Sequence, residues 1–213
     1  MSNSFGNHIR VGVFGQSHSP SIGVTIEGLP AGMGIDMDAA HKFMARRAPG
    51  QSDLTTPRRE ADLPRIVAGL NDSNLTCGSP LCALIANTNT RSQDYDSLRR
   101  VPRPGHADYP AHVKYGAGRD VRGGGQFSGR MTAPLCFAGA ICLQLLKRRG
   151  ITIGSHIKSV GAVDDAAFDP ALVSAGQLAA LSEKPLPVID DAAGERMRDT
   201  VREARDAHDS VGG

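Results

Sequence analysis

The sequence contains no tryptophan, and only 4% of its 213 residues are aromatic. Few platforms are therefore present on which nucleic-acid bases could stack. A formal net charge of +2 also lacks the basic excess of a nucleic-acid binder. Cysteine is scarce, and Cys77, Cys82, Cys136 and Cys142 show no C-x-x-C spacing. Their apolar neighbours predict buried, reduced thiols rather than disulfides or metal ligands. The opening MSNSFGNHIRVGVFG has no basic segment followed by an apolar run, so it does not read as a secretory signal. The longest apolar stretch, Met131 to Leu146, contains Pro134 and Gln144 and reads as too short to span a bilayer. A soluble, cytoplasmic protein without membrane or nucleic-acid partners is expected. With 40% hydrophobic and 22% charged residues, the chain has the composition of a folded protein with a real core.

Lysine is the other shortage: 19 of the 24 basic residues are arginine. From Arg46 to Arg130 the ratio is 12 to 1, with eight acids interleaved. A guanidinium fork grips carboxylates and phosphates bidentately, which an ammonium group cannot do. The bias points to a small multianionic ligand, with a surface of solvated ion pairs as the plain alternative.

Apolar patterning predicts strands at Ile9–Phe14, Ile22–Ile26, Ile66–Leu70 and Leu81–Ala86. Asp38–Arg47 has helical spacing, acids first and Arg46 and Arg47 last. A short helix is expected over Asp108–Tyr115 and a long one from Arg130 to Arg149. ITIGSHIKSVGAV reads as a further strand, with helices near Pro170–Leu181 and Gly194–His208. No repeat or low-complexity linker interrupts the chain, which predicts one α+β domain over 1–213. The closing DSVGG reads as the approach to another strand, as in an amino-terminal portion of a longer chain.

Three loops carry chemistry. In VPRPGHADYP, Pro102 and Pro104 hold Arg103 extended and Gly105 permits a turn. That frame presents His106 at a defined angle, for proton transfer or as a helix cap. FGQSHSPSIG places Ser17 and His18 between two strands. On an extended segment those neighbours face opposite ways, which argues against a nucleophile pair. RDVRGGGQFSGR exposes backbone N–H groups of three glycines between Arg122 and Arg130, a nest suited to an anion or simply a flexible turn. It matches neither the Walker nor the GxGxxG pattern, and the chain has no GxSxG elbow. Two histidines, many arginines and no metal-ligand spacing point to proton transfer on an anionic substrate.

Together, SFGNHIRVGVFGQSH, ARRAPGQS, TTPRREAD, NTNTRSQDY, RPGHADY, KYGAGRDVRGGGQFSGR and DSVGG resemble chorismate synthase, in the family's order. The resemblance implies a β-α-β sandwich of the chorismate synthase type, here incomplete, and a homotetramer. It implies a 1,4-anti elimination of phosphate from 5-enolpyruvylshikimate 3-phosphate, giving chorismate with reduced FMN. NADPH is one source of reducing equivalents, and flavin delivered already reduced is the other. By the same resemblance, His18 protonates the leaving phosphate and His106 protonates reduced flavin. Gln126, Phe127 and Ser128 fall on the flavin-contacting segment, and Arg47 on a position for an anionic ligand, substrate or nicotinamide phosphate. Ser17, Arg46 and Arg130 face substrate. The chain departs from the commoner family form at Gln16 and Ser19, where GESHG is usual, and at Ala48 and Asp53, where arginines are common. Gln126-Phe127 replaces a common Arg-Ser. The rival expectation is a truncated, non-catalytic module that binds anion or flavin or serves assembly.

Overall fold

Alternating apolar residues build an antiparallel sheet whose centre is β3 (Ser21–Glu27) paired with β5 (Leu81–Ala86). The structure is a computed structural model and describes residues 3–48, 62–88 and 97–213. Asp53 and most of TTPRREAD and NTNTRSQDY lie outside them. The described chain divides into two compact units, separating near Leu145–Leu146.

In the first unit the strand order is β1-β2-β3-β5-β4, with β1 at Ser4–Phe5, β2 at Arg10–Gly15 and β4 at Arg65–Ala68. Ile22, Val24 and Ile26 on β3 and Leu81, Ala83 and Ile85 on β5 project to one face and are buried. Helix α1 (Met37–Arg47) contributes Ala40 and Met44 to the same core, and α3 (Thr132–Lys147) contributes Ala133, Phe137 and Ile141. Asp36 caps α1 by accepting from Ala39 N at 2.9 Å. Gln144 of α3 ties that cap down: its amide exchanges hydrogen bonds of 2.9 and 2.8 Å with the Asp36 main chain. Helix α2 (Asp108–Tyr115) falls where the sequence predicts it.

The run Gly129–Lys147 is 19 residues long and apolar enough, by length and composition, to cross a membrane. Length alone thus does not exclude a span, contrary to the sequence argument. Packing gives this helix its place: Phe137 and Ile141 are fully buried against the sheet residues. The thiol expectation also needs correcting. All four cysteines are free, but Cys77 is exposed and the others are only partly buried.

In the second unit, Asp165 organises the loops. Its buried carboxylate accepts from Ile189 N at 2.7 Å, Asp190 N at 2.8 Å and His156 Nδ1 at 2.7 Å. Burial alone would raise its pKa, but the backbone amides and His156 outweigh that and hold it below the usual carboxylate range. Helices α4 (Ala175–Glu183) and α5 (Asp191–Asp206) contribute Leu181, Ala193 and Met197 to a small core with Val188. The strand expected through ITIGSHIKSVGAV does not form. Only a hairpin of β6 (Ser159–Val160) and β7 (Val163–Asp164) appears there. Ile151 and Ile153 alternate as a strand would, yet both are exposed, and Ile157 N bonds to Pro187 O instead of a ladder.

Candidate active site

Gly123, Gly124 and Gly125 all have positive φ (57°, 83° and 58°), so these three positions of the turn Arg122–Phe127 favour glycine. Space makes the same demand. A Cβ on Gly123 would lie 2.4 Å from His18 Cε1 and Nδ1 and 2.6 Å from Ser17 Oγ. A Cβ on Gly124 would lie 2.6 Å from His106 Cε1 and 2.8 Å from its Nε2. The two imidazoles, 88 positions apart in the numbering, therefore rest against consecutive residues.

The β2–β3 loop is held to this turn by Ser17 N, which donates to Gly125 O at 3.1 Å. Because residues 16–20 turn rather than extend, Ser17 Oγ and the His18 ring approach the same glycine, unlike the opposite-facing arrangement expected. Ser17 is buried, and its Oγ has no hydrogen-bond partner among the described residues. Ser19, one of the departures, closes the loop. Its Oγ accepts from Gln16 N at 3.0 Å and lies 2.8 Å from Gln16 O and 2.7 Å from Ser21 O.

On the other side, Asp108 receives Arg103 through N (3.0 Å), Nε (2.8 Å) and Nη2 (3.1 Å). His106 Nδ1 lies 3.0 Å from Asp108 Oδ1. The Arg103 hydrogen bonds, against an opposing burial effect, hold the Asp108 carboxyl far below the usual range. Asp120 is lowered in the same way, chiefly by Arg122 and to a smaller degree by the charge of His18.

A cavity of about 180 Å³ opens beside the turn, lined by Gln126 and Phe127 with Gln16, Tyr115, Arg119 and Asp120 among others. The Tyr115 and Phe127 rings stand 6.4 Å apart. Ser128, expected beside them, caps the start of the helical run by accepting from Arg130 N at 3.2 Å.

The arginines divide. Arg46 is exposed at the end of α1, its guanidinium 5.8 Å from the Phe43 ring centroid. Arg47 and Arg130 are instead joined through the buried carboxylate of Asp62. Arg130 Nε donates to Asn87 Oδ1 at 3.0 Å, and Asn87 Nδ2 donates to Ser19 O at 2.8 Å and Gln16 O at 3.2 Å. Asp62, Asn87, Asp108 and Asp120 were not singled out from sequence. All four lie within the stretches that carry the resemblance, and Asp108 stands two places after His106. Among the described residues no group of three or more His, Cys, Asp or Glu could hold a metal ion.

The model of the chorismate synthase family matches residues 9–213. The chain belongs to the chorismate synthase family. The chorismate synthase of Lancefieldella parvula is 41% identical over the whole chain, which covers 58% of that relative. That of Aeropyrum pernix is 41% identical over 98% of the chain and is covered to 54%, and that of Methanocella arvoryzae is 39% identical over 99% and covered to 55%. The chain thus spans rather more than half the length of the curated relatives it matches. A chorismate synthase crystal structure superposes with a TM-score of 0.68 over 97% of this chain and 56% of its own, at 22% identity. That likeness establishes the α+β fold of the chorismate synthase type. In this member of the chorismate synthase family, the two loops bearing His18 and His106 meet at the glycine turn.

Proposed function

We propose that this chain carries the histidine-bearing part of a chorismate synthase site, a carbon–oxygen lyase acting on a phosphate ester in aromatic amino acid biosynthesis. The substrate is 5-enolpyruvylshikimate 3-phosphate, which loses phosphate and a ring proton in a 1,4-anti sense to give chorismate. The observation that carries this reading is the seating of both imidazoles on Gly123 and Gly124.

His18 holds a proton beside buried Ser17, where a leaving phosphate would need one. An imidazole suits that task because its ordinary pKa lies near neutrality, and positioned acid catalysis contributes about 10²–10⁴ in rate. His106 holds a proton for the flavin, its ring fixed by Asp108. The residues present fit one side of a flat, anionic cofactor: the Ser17 Oγ, which has no hydrogen-bond partner among the described residues, and the Phe127 and Tyr115 rings beside an open cavity. Gln126, Phe127 and Ser128 would hold it. Reduced FMN, when bound, supplies electron density as the phosphate departs. NADPH is the proposed reductant, the homotetramer the proposed assembly and the cytoplasm the proposed location. The two compact units are proposed as parts of one domain.

Arg46 is the most exposed of the proposed anion-binding arginines, and Arg47 keeps about a quarter of its side chain open (23%). Arg130 is all but enclosed and serves the substrate through Asn87 and the loop it anchors.

An anaerobic assay with reduced FMN and 5-enolpyruvylshikimate 3-phosphate tests the reading through phosphate release. Turnover that is lost in His18→Ala and His106→Ala supports it; undiminished turnover in both overturns the assigned roles. A second reading, a non-catalytic flavin- or anion-binding module, is favoured by the departures at Gln16 and Ser19, which bond to one another across the β2–β3 loop. FMN binding with a substrate-dependent spectral change, but without phosphate release, would support that second reading.

A further inference from the structure

We propose that Asp108, clamped by Arg103, is a positioning residue that fixes His106 in its Nδ1–H tautomer and leaves Nε2 as the nitrogen that exchanges protons at the glycine turn. The inference deepens the proposed function and rests on it for its catalytic consequence, but the tautomer itself is a property of this chain alone.

Hydrogen-bond capacity decides the tautomer. Asp108 Oδ2 accepts from both Arg103 N and Arg103 Nε, while Oδ1 accepts from Arg103 Nη2. An ionised carboxylate only accepts. The group 3.0 Å from Oδ1 on the His106 side must therefore donate, which puts the proton on Nδ1. Asp108 also stands in the first turn of α2, where the helix N-terminus favours negative charge. The helix does not use it as a cap, since the N-cap position is Ala107 and no side chain caps there. Its carboxylate is spent on Arg103 and His106 rather than on its own helix.

With Nδ1 committed, Nε2 is the remaining ring nitrogen, and it lies on the edge that meets Gly124. A proton received there makes the imidazolium, with Asp108 stabilising the charge. A proton given up from there returns the ring to the neutral Nδ1–H form. Arg103 keeps Asp108 from taking the proton itself, because protonation would set an O–H against the guanidinium donors.

Asp108→Asn makes a sharp prediction. The amide oxygen belongs at the Oδ2 position, where two Arg103 donors converge, so the amide NH₂ gives up the Arg103 Nη2 bond and faces His106 Nδ1. An NH₂ group donates, which obliges Nδ1 to accept and moves the neutral ring's proton to Nε2. The substitution reverses the tautomer with little change in shape.

Long-range ¹H–¹⁵N correlation spectra of the ¹⁵N-histidine-labelled chain read this directly, with His106→Ala supplying the assignment. At a pH where the ring is neutral, the expected wild-type pattern is a protonated Nδ1 and a bare Nε2, reversed in Asp108→Asn. His156, held by Asp165 in the other compact unit, reports that folding is intact. A wild-type ring protonated at Nε2 overturns the proposal without any variant, as does an unchanged pattern in Asp108→Asn. In the anaerobic assay, Asp108→Asn is expected to lower kcat by about 10²-fold with KM little altered. A reversed tautomer with unaltered turnover would overturn the catalytic role of His106 while leaving the tautomer assignment standing.

Discussion

Asp62 and Arg130 form an ion pair in the interior, with 0% and 3% of their side chains exposed. The same carboxylate also accepts from Arg47. Such a pair is costly to break from one side, because the surviving charge stays buried. Asp62→Ala is expected to destabilise the protein by about 3–5 kcal/mol, read as a lower urea midpoint. The double variant Asp62→Ala/Arg130→Met should cost less than the sum of the two single substitutions, although Arg47 still loses its partner.

The glycine turn offers a cleaner contrast. Gly123→Ala and Gly124→Ala each force a left-handed backbone onto alanine and drive its methyl into His18 or His106. Each is expected to abolish flavin-dependent turnover and to cost about 1–3 kcal/mol of stability. Gly129→Ala is the control: among the described residues nothing lies within 4 Å of its Cβ position, and its φ is not positive. It should leave both the melting temperature and FMN affinity near the parent values.

Acid should act through lowered carboxylates. Asp108, Asp120 and Asp165 all have folded pKa values below their ordinary values. Each therefore contributes stability that is present above the unfolded carboxylate pKa, about 3.9. That contribution is lost as pH falls through the folded value. The melting temperature is expected to hold between pH 7 and 5 as far as these groups are concerned and to fall below about pH 4. Asp165→Asn should flatten part of that fall.

Thiol reactivity should follow exposure. Cys77 is exposed, and its hydrogen bond with Ser79 lowers its pKa. Partial burial raises Cys82, Cys136 and Cys142. Mass spectrometry after brief alkylation is expected to find Cys77 modified first. Faster labelling of Cys136 or Cys142 would contradict the packing of α3.

How much of this could be read from the chain depends on distance along it. β3, β5, α1 and α2 were legible because period and caps are local: Ile22, Val24 and Ile26 alternate, and Asp36 stands just before α1. The run around Ile151 and Ile153 carried the same alternation without a partner strand, and alternation alone cannot supply one. The histidine loops were legible as motifs, and their meeting only through the family resemblance, since it depends on glycines about a hundred residues from His18. Asp62 closes the TTPRREAD stretch, but nothing local marks it as the centre of an ion-pair cluster. Its partner Arg130 lies 68 positions away, and only the fold makes a lone acid there the centre of two arginines.

The convergence of His18 and His106 is tested most directly by following both imidazole C–H signals while this chain is titrated with FMN and 5-enolpyruvylshikimate 3-phosphate. One shared site predicts that both signals move with a common midpoint while His156 stays still. Movement of one ring without the other, or two different midpoints, would contradict it.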